Sequence, residues 1–150
     1  MLVIAVTADM SSIDMKKVKA NSGFEVTTTT VIDVNTIASL LCTAFEGGHG
    51  TWFKVIDRVE PKNKVVFHLD TDWSKFPLFS YPLGLGGYVT IEDINTKLPY
   101  HITRFYIEEG LQIMADRFPF HFEDIVKNNE DALTGDVFLQ CCTLGDVLYW

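Results

Sequence analysis

The chain is 150 residues long, 47% hydrophobic and 13% aromatic, which suits one folded domain with a buried core and excludes a disordered protein. Its formal charge is −8, and residues 101–150 hold nine acids against three bases while residues 1–100 hold eleven against nine. That balance disfavours direct binding to a nucleic-acid backbone, which needs clustered Lys and Arg to displace counterions.

The opening MLVIAVTADM is apolar but far short of the ~20 residues that span a bilayer. It also lacks the basic n-region and cleavage site of a secretory signal, so a soluble, intracellular chain is expected. MKKVKANSG, from Met15, reads as a natural chain start; residues 1–14 are then an N-terminal extension and residues 15–150 a single domain. Phe24–Ile32, rich in β-branched residues, reads as a strand. Asp33 can cap a helix running to Glu46, whose Ile37, Leu40, Leu41, Ala44 and Phe45 form one apolar stripe at the 3.6-residue period. Two strands follow, TWFKVIDRV and KNKVVFHLD, joined by a turn at Glu60–Asn63. Residues 73–87 look irregular, with two prolines and three glycines, and YVTIEDI and LPYHIT form a hairpin around Asn95–Lys97.

The last third reads as helical. Thr103 caps a helix with Ile107, Leu111, Met114 and Phe118 on one face. Gly110 inside it costs about 1 kcal/mol against alanine, so a close helix or sheet contact is expected to compensate. Pro119 ends that helix. A short helix over Phe122–Lys127 follows, then one over Thr134–Leu144 with Val137, Phe138, Cys141 and Leu144 inward and Gly145 as its C-cap. EDIVKNNEDALTGD reads as a solvated connection, and DVLYW closes the chain as a strand or apolar tail. Cys42, Cys141 and Cys142 offer neither a disulfide framework nor a zinc spacing and read as reduced thiols. The fold class is α+β: one compact domain, an antiparallel sheet packed against about four helices.

TAFEGGHGTW gathers more site-like residues than any other stretch. Gly47 and Gly48 follow a helix, where left-handed residues cap the last carbonyls, whereas phosphate loops use the opposite helix end. LGLGG at Leu83–Gly87 fails as a phosphate loop too, because a strand follows it. Glu46 opposes the helix dipole and either faces water or holds a ligand. His49 has a base's chemistry but no local nucleophile. Trp52 is a core ring or a stacking platform, and the core is favoured because large aromatics supply much of a small domain's buried area. Lys54, Arg58, Arg104 and Arg117 are the scattered cations able to pair with a ligand phosphate if a pocket gathers them. His68, Asp70 and Asp72 alternate along one strand face but lack a fourth ligand, so no metal is assigned. Glu108 and Glu109 in a first helical turn are explained by the helix dipole.

VIDVNTIASLLCTAFEGGHGTW, with the downstream GLQIMADRFPFHFEDIVKNNEDALTGDVFLQCCTLGDVLYW, resembles a family of small proteins from tailed phages and prophages. The likeness lies in a helix ending Glu-Gly-Gly, a Trp soon after, and an acidic turn before a final apolar helix. Here these are Glu46, Gly47, Gly48, Trp52, Asp131, Thr134, Asp136 and Gly145. The resemblance spans roughly Met15–Trp150 and carries no catalytic residues. It implies an accessory role, counter-defence or host takeover, in the host cell cytoplasm.

Three functions follow. The first is a non-enzymatic sponge for a nucleotide-like host signal, binding through Glu46, His49, Trp52, Lys54, Arg58 and Arg104. The second is an acidic inhibitor of a host nucleic-acid-handling or CRISPR/restriction-type defence protein, acting through Glu130, Asp131 and Asp136 by DNA mimicry or occlusion. A small hydrolase using Glu46, His49 or the His68/Asp70/Asp72 group ranks last, since nucleophile–base pairs are missing. No cofactor is implied. The apolar VLYW suggests a homo-oligomer.

Overall fold

The computed structural model describes residues 3–8, 24, 26–46, 51–63 and 80–150. β1 (Val3–Ala8) pairs antiparallel with β2 (Thr28–Asp33), Val3 opposite Asp33 and Ala8 opposite Thr28. Part of the segment read as an extension is therefore built into a ladder. β2 runs directly into α1 (Val34–Glu46). The change from strand to helix occurs where the Asp33 carboxylate accepts the Asn35 backbone N–H at 2.7 Å, satisfying a donor that the first helical turn leaves free. The expected stripe of Ile37, Leu40, Leu41 and Ala44 is buried, with Phe45 packed at its edge.

A second sheet is an antiparallel meander of β3 (Phe53–Val59), β4 (Tyr88–Asp93) and β5 (Pro99–Ile102), with β4 in the middle. Its central place explains why Val89 and Ile91 are fully buried while β3, on the edge, is exposed along most of its length. The β4–β5 turn is held by Asp93, whose Oδ1 accepts the N–H groups of Asn95 at 2.8 Å and Thr96 at 3.2 Å. The strand expected over KNKVVFHLD lies, from Lys64 on, outside the described residues.

Three helices follow: α2 (Arg104–Arg117), α3 (Pro119–Val126) and α4 (Ala132–Thr143). Thr103 caps α2 through Tyr106 N–H, and Pro119 both ends that helix and opens the next, since its missing N–H costs nothing at a first helical position. Asp131 caps α4, accepting Thr134 N–H at 2.8 Å, so this helix starts earlier than the periodicity implied. The stretch EDIVKNNEDALTGD is correspondingly not a solvated connection throughout: Thr134, Gly135 and Asp136 are buried.

α4 is the central helix, packed against α1 on one side and α2 on the other. Both contacts use glycine. A Cβ on Gly110 of α2 would lie 2.7 Å from the N and Cα of Cys142, and one on Gly135 of α4 would lie 3.0 Å from Ala44 N in α1. This close approach is the compensation expected for Gly110. Gly145, at φ +70°, ends α4 in the left-handed conformation. Beyond it Asp146–Trp150 forms no strand; it packs against the core with Val147 buried. The architecture is α+β, as the sequence indicated.

Candidate functional site

Trp52 and Asp136, 84 positions apart, meet in the core: the indole Nε1–H donates to Asp136 Oδ1 at 2.8 Å. The other carboxylate oxygen accepts from Gln140 Nε2 at 2.9 Å, one turn further along α4. Gln140 Oε1 in turn accepts the backbone N–H groups of Leu148 and Tyr149, both at 2.9 Å, and its Nε2 also donates to Tyr149 O at 2.7 Å. The Tyr149 ring stacks on Trp52, centroids 5.5 Å apart and planes 18° apart, and its hydroxyl donates to Asp93 Oδ2 at 2.7 Å. Burial pushes the Asp93 carboxyl up, but the Tyr149 hydroxyl and the Asn95 and Thr96 N–H groups outweigh it and hold the carboxyl below its ordinary value. The bond to Asp93 pushes the Tyr149 phenol up.

This network corrects two assignments. Trp52 is only 3% exposed, and one ring face is already covered by Tyr149, so it is not an open platform for a ligand. Asp136 is 5% exposed with both oxygens hydrogen-bonded, so it is removed from any acidic docking surface. Asp131 is exposed, but its carboxylate caps α4, and the Thr134 N–H holds it below the usual carboxylate range. Glu130 is half-buried, with Oε2 enclosed and lacking a hydrogen-bond partner. The expected acidic trio is therefore not a common surface.

The cations do not gather either. Lys54 pairs with Glu92 at 3.0 Å across β3 and β4. Arg58 stands opposite Val89. The bulge between Val55 and Asp57 breaks the alternation, and since Glu92 and Val89 are three apart on β4, Lys54 and Arg58 fall on opposite faces. Arg117 pairs with Asp146 at 3.0 Å and tethers α2 to the end of α4. Glu46 is exposed, 3.7 Å from the Cys42 thiol, while His49, His68, Asp70 and Asp72 lie outside the described residues. Among the described residues no group of three His, Cys, Asp or Glu could hold a metal. Burial pushes Cys141 up to about 12 and Cys142 well above its ordinary value, and burial with the Glu46 charge raises Cys42, so all three thiols are protonated at neutral pH.

Arg104 is placed differently. A groove of about 340 Å³ runs between the Leu83–Gly87 turn, Tyr88 of β4 and Thr103–Phe105 at the start of α2. Gly84 and Gly87 form part of its wall because they pack on Pro61, where a side chain on either would collide with the ring. The walls are mostly apolar, and Phe105 is 62% exposed at the rim. Arg104 uses Nε toward Glu108 Oε1 at 3.4 Å, leaving both terminal amino groups without a protein partner among the described residues. Thr103, which also lines the groove, caps α2 by accepting Tyr106 N–H on its Oγ1. Tyr88, Phe105 and the first residues of α2, Arg104 among them, thus line one mostly apolar depression. No family model matches the chain, and no curated protein or solved structure does either.

Proposed function

We propose that the chain is a non-enzymatic phage accessory protein that captures a small nucleotide-like ligand in the host cytoplasm, and that the groove at the start of α2 is where it does so. The observation that carries this is that Tyr88, Thr103, Arg104 and Phe105, the last three at the start of α2, line one depression. A flat heterocycle meets the aromatic rings and apolar walls, while a phosphate meets the guanidinium and the positive end of the helix dipole. The volume, about 340 Å³, is at the lower end of small-molecule sites and matches a single nucleotide rather than a polymer. The resemblance of the end motifs to those of phage proteins suggests the biological setting; of the residues that carry it, Trp52, Asp131, Asp136 and Gly145 serve the packing and ends of α4.

Native mass spectrometry of the purified chain against cyclic and ADP-ribose-type nucleotides tests the reading. A nucleotide retained and released unchanged is expected, with Arg104→Ala weakening retention about 10-fold or more, the loss of one charged hydrogen-bond donor. Release of an altered nucleotide would make the protein an enzyme, and retention of none would overturn the proposal.

A further inference from the structure

Resting on nucleotide capture in the groove at the start of α2, we infer that the captured nucleotide carries a pyrophosphate and that Lys62, outside the groove lining, supplies the second cation for it. The sheet topology brings Lys62 to this place. β4 lies between β3 and β5, with Val59 opposite Tyr88 and Ile102 opposite Val89. β3 and β5 therefore finish together, at the end of the sheet where β4 begins. Lys62 comes three residues after β3 and Arg104 two residues after β5. The two cations thus leave the sheet on opposite flanks of Tyr88 and of the turn that leads into it.

Lys62 is fastened to that turn. Its backbone N–H donates to Leu85 O at 2.9 Å, and Pro61 beside it packs on Gly84 and Gly87. Its side chain lies by Gly86, where an added Cβ would stand 3.9 Å from Lys62 Cε. Gly86 lines the groove, so the carbon that bears the ammonium stands beside the wall facing Arg104's flank. The flexible stem gives the ammonium reach over a residue that has no side chain. Lys62 is exposed and forms no ion pair among the described residues, whereas Lys54 and Arg117 each have a carboxylate at 3.0 Å. A chain of net charge −8 repels a polyanion at long range, so two cations with free amino groups about one apolar depression reverse that field locally. A single phosphate is served by Arg104 alone, whose guanidinium can take two oxygens. A cation on the far flank serves a second phosphate.

The test is isothermal titration of the full chain, Lys62→Gln and Arg104→Gln with AMP, ADP and ADP-ribose. The two pyrophosphates are expected to bind about threefold to tenfold more tightly than AMP, the gain of one charged contact discounted for its exposure. Lys62→Gln should bring them down to the level of AMP and leave AMP unchanged, while Arg104→Gln weakens all three. Pyrophosphates no tighter than AMP, or Lys62→Gln acting on all three equally or on none, overturn the inference and leave nucleotide capture standing. So does binding of cyclic nucleotides alone. Binding of no nucleotide at all overturns the capture itself, and this inference with it.

Discussion

Gly110→Ala sets helix propensity against helix packing. In an isolated helix the change gains about 1 kcal/mol. Here the new methyl would sit 2.7 Å from the backbone N and Cα of Cys142, atoms that cannot rotate aside. Ordinary carbon contacts need about 3.5–4.0 Å, so α2 and α4 must separate by roughly 1 Å. Overpacking of a tight core costs about 1–3 kcal/mol, and a clash with backbone belongs at the upper end. After the propensity gain, the net loss is about 1–2 kcal/mol. For a chain of this size that lowers Tm by roughly 2–8 °C. Calorimetry with a parallel urea melt reads both quantities. Adding Cys142→Ala removes the sulfur from the contact but leaves the backbone in place, so it should restore only part of the loss. An unchanged or raised Tm for Gly110→Ala would refute the reasoning, since the helices would then not meet at this distance.

Trp52→Phe keeps a ring over Tyr149 but removes the donor to Asp136 Oδ1, and leaving that buried oxygen unsatisfied should cost about 1–3 kcal/mol, seen as a lower urea midpoint at unchanged slope. Gly145→Ala forces a Cβ into the left-handed region at φ +70° and should cost about 1 kcal/mol by thermal melt, although nothing crowds the site. Asp93 and Asp131 both have folded-state carboxyls held below their ordinary values. Their contribution is full above about pH 4 and is lost as pH falls through the lowered folded values; Asp93→Asn should flatten that acid limb. Tyr149 has the opposite sign: its raised phenol contributes fully below about pH 10 and loses the contribution as pH climbs through the folded value, so Tyr149→Phe should flatten the alkaline limb.

Features encoded within a few residues were legible in the sequence. Thr103, Gly145 and the Ile37–Ala44 stripe follow from capping and periodicity and stand where those rules put them. Gly110 announced a close contact, although nothing local named Cys142 as the partner. What escaped was non-local. Trp52 and Asp136 carry no mutual signal across 84 positions, so the indole favoured for the core still stood among the ligand contacts, and a core carboxylate passed for a surface group. The bulge at Ile56 has no residue signature of its own, yet it decides that Lys54 and Arg58 diverge. Arg104 was picked out as a cation, but its setting depends on the β4–β5 hairpin bringing the start of α2 beside the Leu83–Gly87 turn. That turn was set aside because a strand follows it; the helix end it meets comes later in the chain.

The most direct test of ligand capture is an amide-resolved NMR titration of the full chain with the cyclic and ADP-ribose-type nucleotides. The account predicts shifts concentrated at Gly84–Tyr88 and Thr103–Phe105, with the Trp52 indole N–H unmoved. Shifts centred on Trp52 and Gln140 instead, or none with any nucleotide, would contradict it.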